Sequence, residues 1–412
     1  MVSSRREFYP LYLTRFAGSL GFVTLMSLLP QFIQKLDAGG VLIGLFITAL
    51  GVGRTLALVP LGWAADQYDK RTVLLVSLSI STVAYAIFSF VTSSATFLAA
   101  RTLQGLGLVG TGVVALALVG ELAPADDRAN YIGKFNSWRM AAGIIGTIGA
   151  NVLYTYLGFD PIFLIIVVLF TVATVSIWWF VDSDETSSGF AFFDLALNDR
   201  ILTITTFRAQ YAVAVTLVRK WVPIYVGLTA AKGGLGLAPI AVGTVLAAEK
   251  FTNMLAQPYT GSLSDRNGRA LFVFIGGGCY GAVALLLPFA PEFGSAVGLT
   301  ASVPLLGPMP AVFFVAIVLN GLLGVADSIR EPASMALFAD EGEGEGITSS
   351  FGIRGLVWRP GALLAPLLGG YLMSRYGMDW VFFLGSAAAF SGILVFYGVL
   401  SFRHDARALY RW

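Results

Sequence analysis

The sequence predicts an all-α membrane protein of twelve transmembrane helices in two pseudo-twofold six-helix bundles. Three observations predict it. The 412 residues are 57% hydrophobic and 12% charged, with a mean hydropathy of +0.79, whereas a soluble chain carries about 25% charged residues. Twelve apolar segments follow one another, each long enough to cross a bilayer as a helix, which takes about 20 residues. Four short patterns also recur, in order, between the two halves. The segments are too long for the alternating ten-residue strands of an outer-membrane barrel.

In chain order the spans are 10–34, 41–65, 72–91, 95–121, 131–157, 161–181, 201–226, 236–262, 270–290, 310–338, 347–374 and 380–402. The third, sixth, ninth and twelfth contain no Asp, Glu, Lys or Arg. Well inside the other eight lie fourteen charged residues: Arg15, Arg54, Arg101, Arg139, Arg208, Arg219, Lys220, Glu249, Lys250, Asp327, Arg330, Glu331, Arg354 and Arg359. A charge at mid-span costs on the order of 3 kcal/mol, so it faces protein or water rather than lipid. Eight spans are therefore expected to line a polar interior and four to face lipid. The interior tally is eleven basic to three acidic. Even with Arg15, Arg219 and Lys220 snorkelling to span ends, the excess favours an anionic or electron-rich solute. The alternative is that several arginines bind carbonyls at helix ends.

The repeat fixes the division of the chain. Arg15 and Pro30 correspond to Arg208 and Pro223, and Gly62-x-x-x-Asp66 to Gly261-x-x-x-Asp265. Gln104-Gly105 corresponds to Asn320-Gly321, and Trp138-Arg139 with Gly149 to Trp358-Arg359 with Gly369. Residues 1–181 are expected to form one bundle and 201–412 the other, joined by a cytoplasmic linker, 182–200, rich in Asp, Glu, Ser and Thr. Parallel repeats imply an axis along the membrane normal and a binding site at mid-bilayer between the halves. A long external connection is expected from Pro291 to Pro310. The acidic, glycine-rich run 340–346 reads as a solvated loop, since its glycine spacing does not match a calcium loop.

Orientation follows from the basic residues of the connections. With the N-terminus inside, Arg5, Arg6, Lys70, Arg71, Arg128, Lys134, Arg200, Arg266, Arg269, Arg403, Arg407 and Arg411 are cytoplasmic, against Lys35, Lys232 and Arg375 outside. Both termini are then cytoplasmic, in a multi-pass protein of the cell membrane. The first span is too long for the core of a cleavable signal and has a counterpart in the second half.

Composition excludes several chemistries. Cys279 is the only cysteine and His404 the only histidine, so no internal disulfide and no histidine-built haem or zinc centre is expected. Cys279, on an uncharged span, reads as a buried packing thiol. The chain carries neither a phosphate loop nor an HExxH pattern, nor a nucleophile–base constellation. No cofactor and no enzymatic activity are expected. The basic residues serve topology rather than nucleic acid.

Several motifs carry more specific chemistry. Gly261-x-x-x-Asp265-Arg266-x-Gly268-Arg269 ends the eighth span, and its first-half copy keeps Gly62, Asp66 and Arg71 but has Gln67 and Asp69 where Arg266 and Gly268 stand. The glycine allows close helix approach, and the aspartate at a helix junction accepts backbone N–H groups or an arginine. In the fourth span Arg101 and Gln104, three residues apart, share a helix face. With these motifs the whole chain resembles the major facilitator superfamily (MFS) of transporters, and its pattern is similar to proton-coupled drug and metabolite efflux members. The resemblance implies the MFS fold and a conformational latch at Gly62, Asp66, Arg71, Gly261, Asp265, Arg266 and Arg269; the departures at Gln67 and Asp69 imply that the first-half latch is wired differently. It also links Arg101, in the family's R-x-x-Q-G motif, to proton coupling, with a purely structural hydrogen-bonding role equally open. The exporter pattern G-x-x-x-G-P-x-x-G-G is degraded on the fifth span and nearly complete on the eleventh, from Gly361 to Gly370. That placement weakens a case for export, and small residues there also serve helix packing.

Among the interior charges, Asp327, Arg330 and Glu331 stand at i, i+3 and i+4 before Pro332, and Glu249 shares a helix face with Asn253. A carboxylate in apolar surroundings is easier to protonate, and a neighbouring arginine opposes this. Glu249 and Asp327 are therefore the proton-site candidates. Glu331, Arg330 and Lys220 equally fit a static ion-pair network. Arg54, Arg101, Gln104, Arg139, Glu249, Asn253, Asp327 and Arg359 make up the candidate cavity and coupling set. The expected function is secondary active transport of a small solute by alternating access: proton-coupled export of drugs or metabolites. The alternatives are an uptake symporter or exchanger for an organic anion, and a non-transporting membrane sensor. The expected partners are a small-molecule solute, with an anionic one as an option, a proton or other coupling ion and membrane lipid, and the protein is expected to act as a monomer.

Overall fold

The computed structural model describes residues 6–124, 127–183, 199–304, 306–340, 347–405 and 407–411, without the side chains of residues 66, 128, 129, 339 and 347–352. Arg5, the body of the linker (184–198), the loop 341–346 and the carboxylate of Asp66 lie outside the described residues.

Helices occupy all twelve expected places. The first comprises α1 (Phe8–Ser27) and α2 (Leu29–Lys35), joined by a 52° bend. Pro30 starts α2, where its missing N–H costs nothing, but it could not extend the ladder of α1. Next come α3 (Gly40–Gln67) and α4 (Lys70–Ser89). Asp69 caps α4: its carboxylate accepts the backbone N–H groups of Arg71 and Thr72, each at 3.1 Å. The departure from the family pattern at this position thus supplies an N-cap. A reciprocal Ser93–Thr96 capping box opens α5 (Ser94–Val109), which passes through a π turn, Gly110–Val114, into α6 (Ala115–Leu122). Helices α7 (Arg128–Leu157) and α8 (Asp160–Phe180) complete the first half.

The second half begins with α9 (Asp199–Gly227), which continues through Pro223 as one helix. It is followed by α10 (Pro239–Asn267), α11 (Arg269–Leu286) and α12 (Ala290–Val297). The long connection expected from Pro291 to Pro310 contains most of α12 and also a two-stranded antiparallel hairpin, β1 (Ala301–Val303) with β2 (Gly307–Met309). Then come α13 (Ala311–Asp340), α14 (Ile347–Tyr376), α15 (Asp379–His404) and the short α16 (Ala408–Arg411). Among the described residues nine helices are long and apolar enough to cross a membrane, or ten with the bent α1–α2 pair. The other two of the twelve, α10 and α14, have 29 and 30 residues, but their interior charges lower their hydropathy.

The chain divides into two compact units, Met1–Ala38 with Leu45–Ala191 and Gly39–Gly44 with Phe192–Trp412. Phe32, Phe88, Phe97 and Phe163 form the aromatic core of the first, with Phe32 and Phe97 5.0 Å apart between centroids. In the second, Phe207, Tyr211, Tyr280 and Phe396 play that part. Close helix approach is set by glycine. A Cβ on Gly105 of α5 would strike the backbone of α3 at Leu50, and one on Gly324 of α13 would strike α10 at Glu249.

One expectation of burial fails: Cys279 is exposed, because the packed stripe of α11 runs through Phe272, Val273, Gly276, Gly277, Tyr280, Val283 and Ala284 and leaves residue 279 to one side.

Candidate functional site

In the second unit, seven of the interior charges join into one network. Arg219 of α9, with 41% of its side chain exposed, donates from Nε to Glu249 of α10 at 2.7 Å and from Nη2 to Asp327 of α13 at 2.8 Å. Asp327 is 5% exposed, and its other oxygen accepts from Arg330 Nη2 at 2.5 Å. Arg330 also reaches Glu331 at 2.6 Å and lies 4.3 Å over the Tyr211 ring. Glu331 in turn pairs with Arg354 of α14 and has Arg208 at 4.0 Å. Arg208 donates to the Arg354 carbonyl at 3.2 Å and stacks 4.3 Å over Trp358. Charges of alternating sign are thus threaded across four helices. Burying any of them alone would cost several kcal/mol, and pairing offsets this.

Arg219, one of three residues allowed to snorkel to a span end in the charge tally, turns inward to two carboxylates. The pattern offered one signal: Arg208 and Arg219 are eleven residues apart, close to three full turns, so they share a face of α9. Asn253, expected beside Glu249, donates instead to the Gly324 carbonyl at 3.2 Å. With Thr252 to Gly321 at 2.7 Å and Asn320 to Val245 at 2.7 Å, it stitches α10 to α13. Arg359 is half-buried and, among the described residues, makes no hydrogen bond or ion pair.

The first unit handles arginine differently. Arg101 is fully buried yet has no ion pair among the described residues. It donates to Gln104 Oε1 at 2.6 Å, to the Phe46 carbonyl at 3.4 Å and towards the Met26 sulfur at 2.9 Å. Gln104 passes the chain on, donating to the Tyr85 hydroxyl at 2.6 Å. The spacing that put Arg101 and Gln104 on one face thus serves a direct bond. Arg15 lies 5.0 Å over the Phe135 ring, and the charges of Arg54 and Arg139, both exposed, act on it.

At the helix ends of the second unit, Arg269 bonds Asp265 at 2.8 Å and also bonds Asp340 of α13. Gly261 faces Pro332, whose Cβ would lie 3.7 Å from a Cβ there. Arg266 is exposed. Asp265, Arg266, Arg269 and Asp340 border a polar cleft of about 690 Å³ that also involves Arg200, His404 and Arg411. In the first unit, Arg71 donates to the Trp178 carbonyl at the C-terminal end of α8, a favourable place for a cation, and Gly62 is half-buried.

The structure is similar to the nucleoside transporter NupG, with a TM-score of 0.73 at 14% identity over 95% of this chain and 99% of that one, a likeness of fold. Among sequence relatives, the bacillibactin exporter of Bacillus subtilis is 25% identical over 150 residues, which is 35% of this chain and 37% of the exporter. The niacin transporter NiaP of Acinetobacter baylyi is 31% identical over 121 residues, 29% of this chain and 28% of NiaP. The chain therefore spans well under half the length of either relative in these alignments. A sequence model of the Major Facilitator Superfamily matches residues 11–297 and 211–408. Covered by that match nearly end to end, and folded as its transporters fold, the chain belongs to the Major Facilitator Superfamily of membrane transporters.

Proposed function

We propose that the protein is a proton-coupled secondary transporter that exports a small drug or metabolite by alternating access, with Glu249, Arg219 and Asp327 as its coupling centre. The observation that carries this reading is one partly exposed guanidinium shared by carboxylates from two helices. While Arg219 holds both, both stay ionised. If Arg219 swings away, Asp327 keeps Arg330 while Glu249 is left without its cation among apolar surroundings, and Glu249 takes the proton. The return of Arg219 expels that proton, so movement of one side chain couples proton transfer to the state of the bundle. Arg101, Gln104 and Tyr85 add a buried polar relay in the first unit. The bond of Arg269 to Asp265 and Asp340 suits a latch released in one access state, with Gly261 and Arg266 beside it and Gly62, Asp66 and Arg71 as its first-half counterpart. Arg54, Arg139, Arg359 and Asn253 are the proposed solute contacts. The protein is assigned to the cell membrane with both termini cytoplasmic, acting as a monomer. The likeness to an exporter supports the direction.

A second reading, an uptake symporter or exchanger for an organic anion, is favoured by the gathering of Arg15, Arg54 and Arg139. Flux in proteoliposomes with an imposed pH gradient separates the two, using labelled benzoate, benzamide and ethidium as test solutes. Solute moving against the proton flow supports export, and solute moving with it supports the second reading. If no solute responds to the gradient, both readings fail.

A further inference from the structure

We propose that Arg15, Arg54 and Arg139 form an oxyanion subsite within the first unit, holding the acid group of an organic anion. The inference rests on the transport reading but not on its direction.

The three residues come from α1, α3 and α7, and the charges of Arg54 and Arg139 both bear on Arg15. Neither Arg15 nor Arg139 has a carboxylate partner among the described residues, in contrast to Arg208, Arg219, Arg330 and Arg354 of the second unit. Arg15 and Arg139, like charges without a carboxylate, repel unless an anion joins them, and a guanidinium fork matches a carboxylate or phosphate in shape. Arg15 is pre-oriented for this: Phe135 covers one face of its guanidinium, while its buried Nε has no hydrogen-bond acceptor. Space beside it is kept by Gly112, where a Cβ would come within 3.2 Å of Arg15 Nη1. Arg54 and Arg139 are exposed, so the cluster is open to an incoming solute.

Depth indicates where that anion comes from. Arg54 sits midway along the 28 residues of α3, about 20 Å from either end at 1.5 Å per residue. Lipid phosphates lie at the edges of a hydrocarbon layer about 30 Å thick. At that depth Arg54 is out of reach of a headgroup phosphate, which leaves a solute as the source of the anion.

The test is calorimetric binding to the purified protein in phosphatidylcholine nanodiscs, with benzoate and inorganic phosphate as probes. Benzamide and benzylamine serve as the neutral and cationic analogues. Saturable binding of benzoate, phosphate or both is expected, with no binding of either analogue. Arg15→Gln, Arg54→Gln and Arg139→Gln should each weaken anion binding by about tenfold, the scale of one charge-assisted bond pair. Arg139→Lys keeps the charge but loses the fork, and should weaken binding less while preserving the preference for benzoate over benzamide. That variant carries the test if the glutamine variants do not fold. The proposal is overturned if neither anion binds, if benzamide or benzylamine binds as well as benzoate, or if the glutamine variants bind benzoate undiminished. Displacement of benzoate by added phosphatidylglycerol would hand the site to lipid and also overturn it. Because the readout is binding, anion capture without solute flux would sink the transport reading alone, whereas pH-driven flux without anion capture would sink this subsite alone.

Discussion

In the first unit Arg101 is buried against an amide, a carbonyl and a thioether, and Arg15 lies against an aromatic ring. In the second, Arg208, Arg219, Arg330 and Arg354 share three carboxylates. The halves nonetheless keep a common plan. Each sets the arginine of its first helix over an aromatic ring of its fifth: Arg15 over Phe135 and Arg208 over Trp358. The network carboxylates Glu249, Asp327 and Glu331 all lie in the second unit, whereas in the first Glu121 pairs with Lys70 and leaves Arg15 and Arg139 without acid partners among the described residues. The repeat thus preserves the placing of an arginine over an aromatic ring while its copies differ in the acids around it.

This contrast makes the two units respond differently to loss of a buried arginine. Arg330→Met removes the cation shared by Asp327 and Glu331, leaving them Arg219 and Arg354 in a buried cluster, and should cost about 3–5 kcal/mol, read as a lowered midpoint of thermal unfolding in detergent. Arg101→Met leaves only neutral acceptors behind, so a smaller loss of about 1.5–3 kcal/mol is expected. Equal losses would break the distinction between the halves. Backbone packing should be alike in the two: Gly105→Val and Gly324→Val each force a side chain into a neighbouring helix, for about 1–3 kcal/mol. Gly133→Val, where nothing lies within 4 Å, is the control. The smallest effect belongs to the first-half cap. Asp69→Ala should cost about 1 kcal/mol, largely restored by Asp69→Asn. A change of flux larger than this loss explains would assign Asp69 to the latch as well.

The twelve helices were legible because a run of apolar residues longer than the bilayer is thick has one economical solution in lipid. Placing Glu249 and Asp327 among the interior charges needed only their position in those runs. That they meet at Arg219 was not legible, since it depends on how three helices are rotated against one another. The same holds for Cys279, which lies beside the packed stripe of α11 and not within it. Pro30 and Pro223 occupy matching places, yet the chain bends by 52° just before the first and runs straight on through the second. Proline permits a break, and the surrounding packing decides whether it happens. The hairpin β1–β2 is three residues per strand, too short for alternation to reveal it.

The central claim is that the carboxylates around Arg219 carry the coupled proton. Its most direct test is flux through proteoliposomes containing the Glu249→Gln, Asp327→Asn double variant, measured both with a pH gradient and as solute exchange without one. The account predicts that gradient-driven accumulation is lost while exchange persists, because the passage still opens to each side. Full gradient-driven accumulation in the double variant would contradict it.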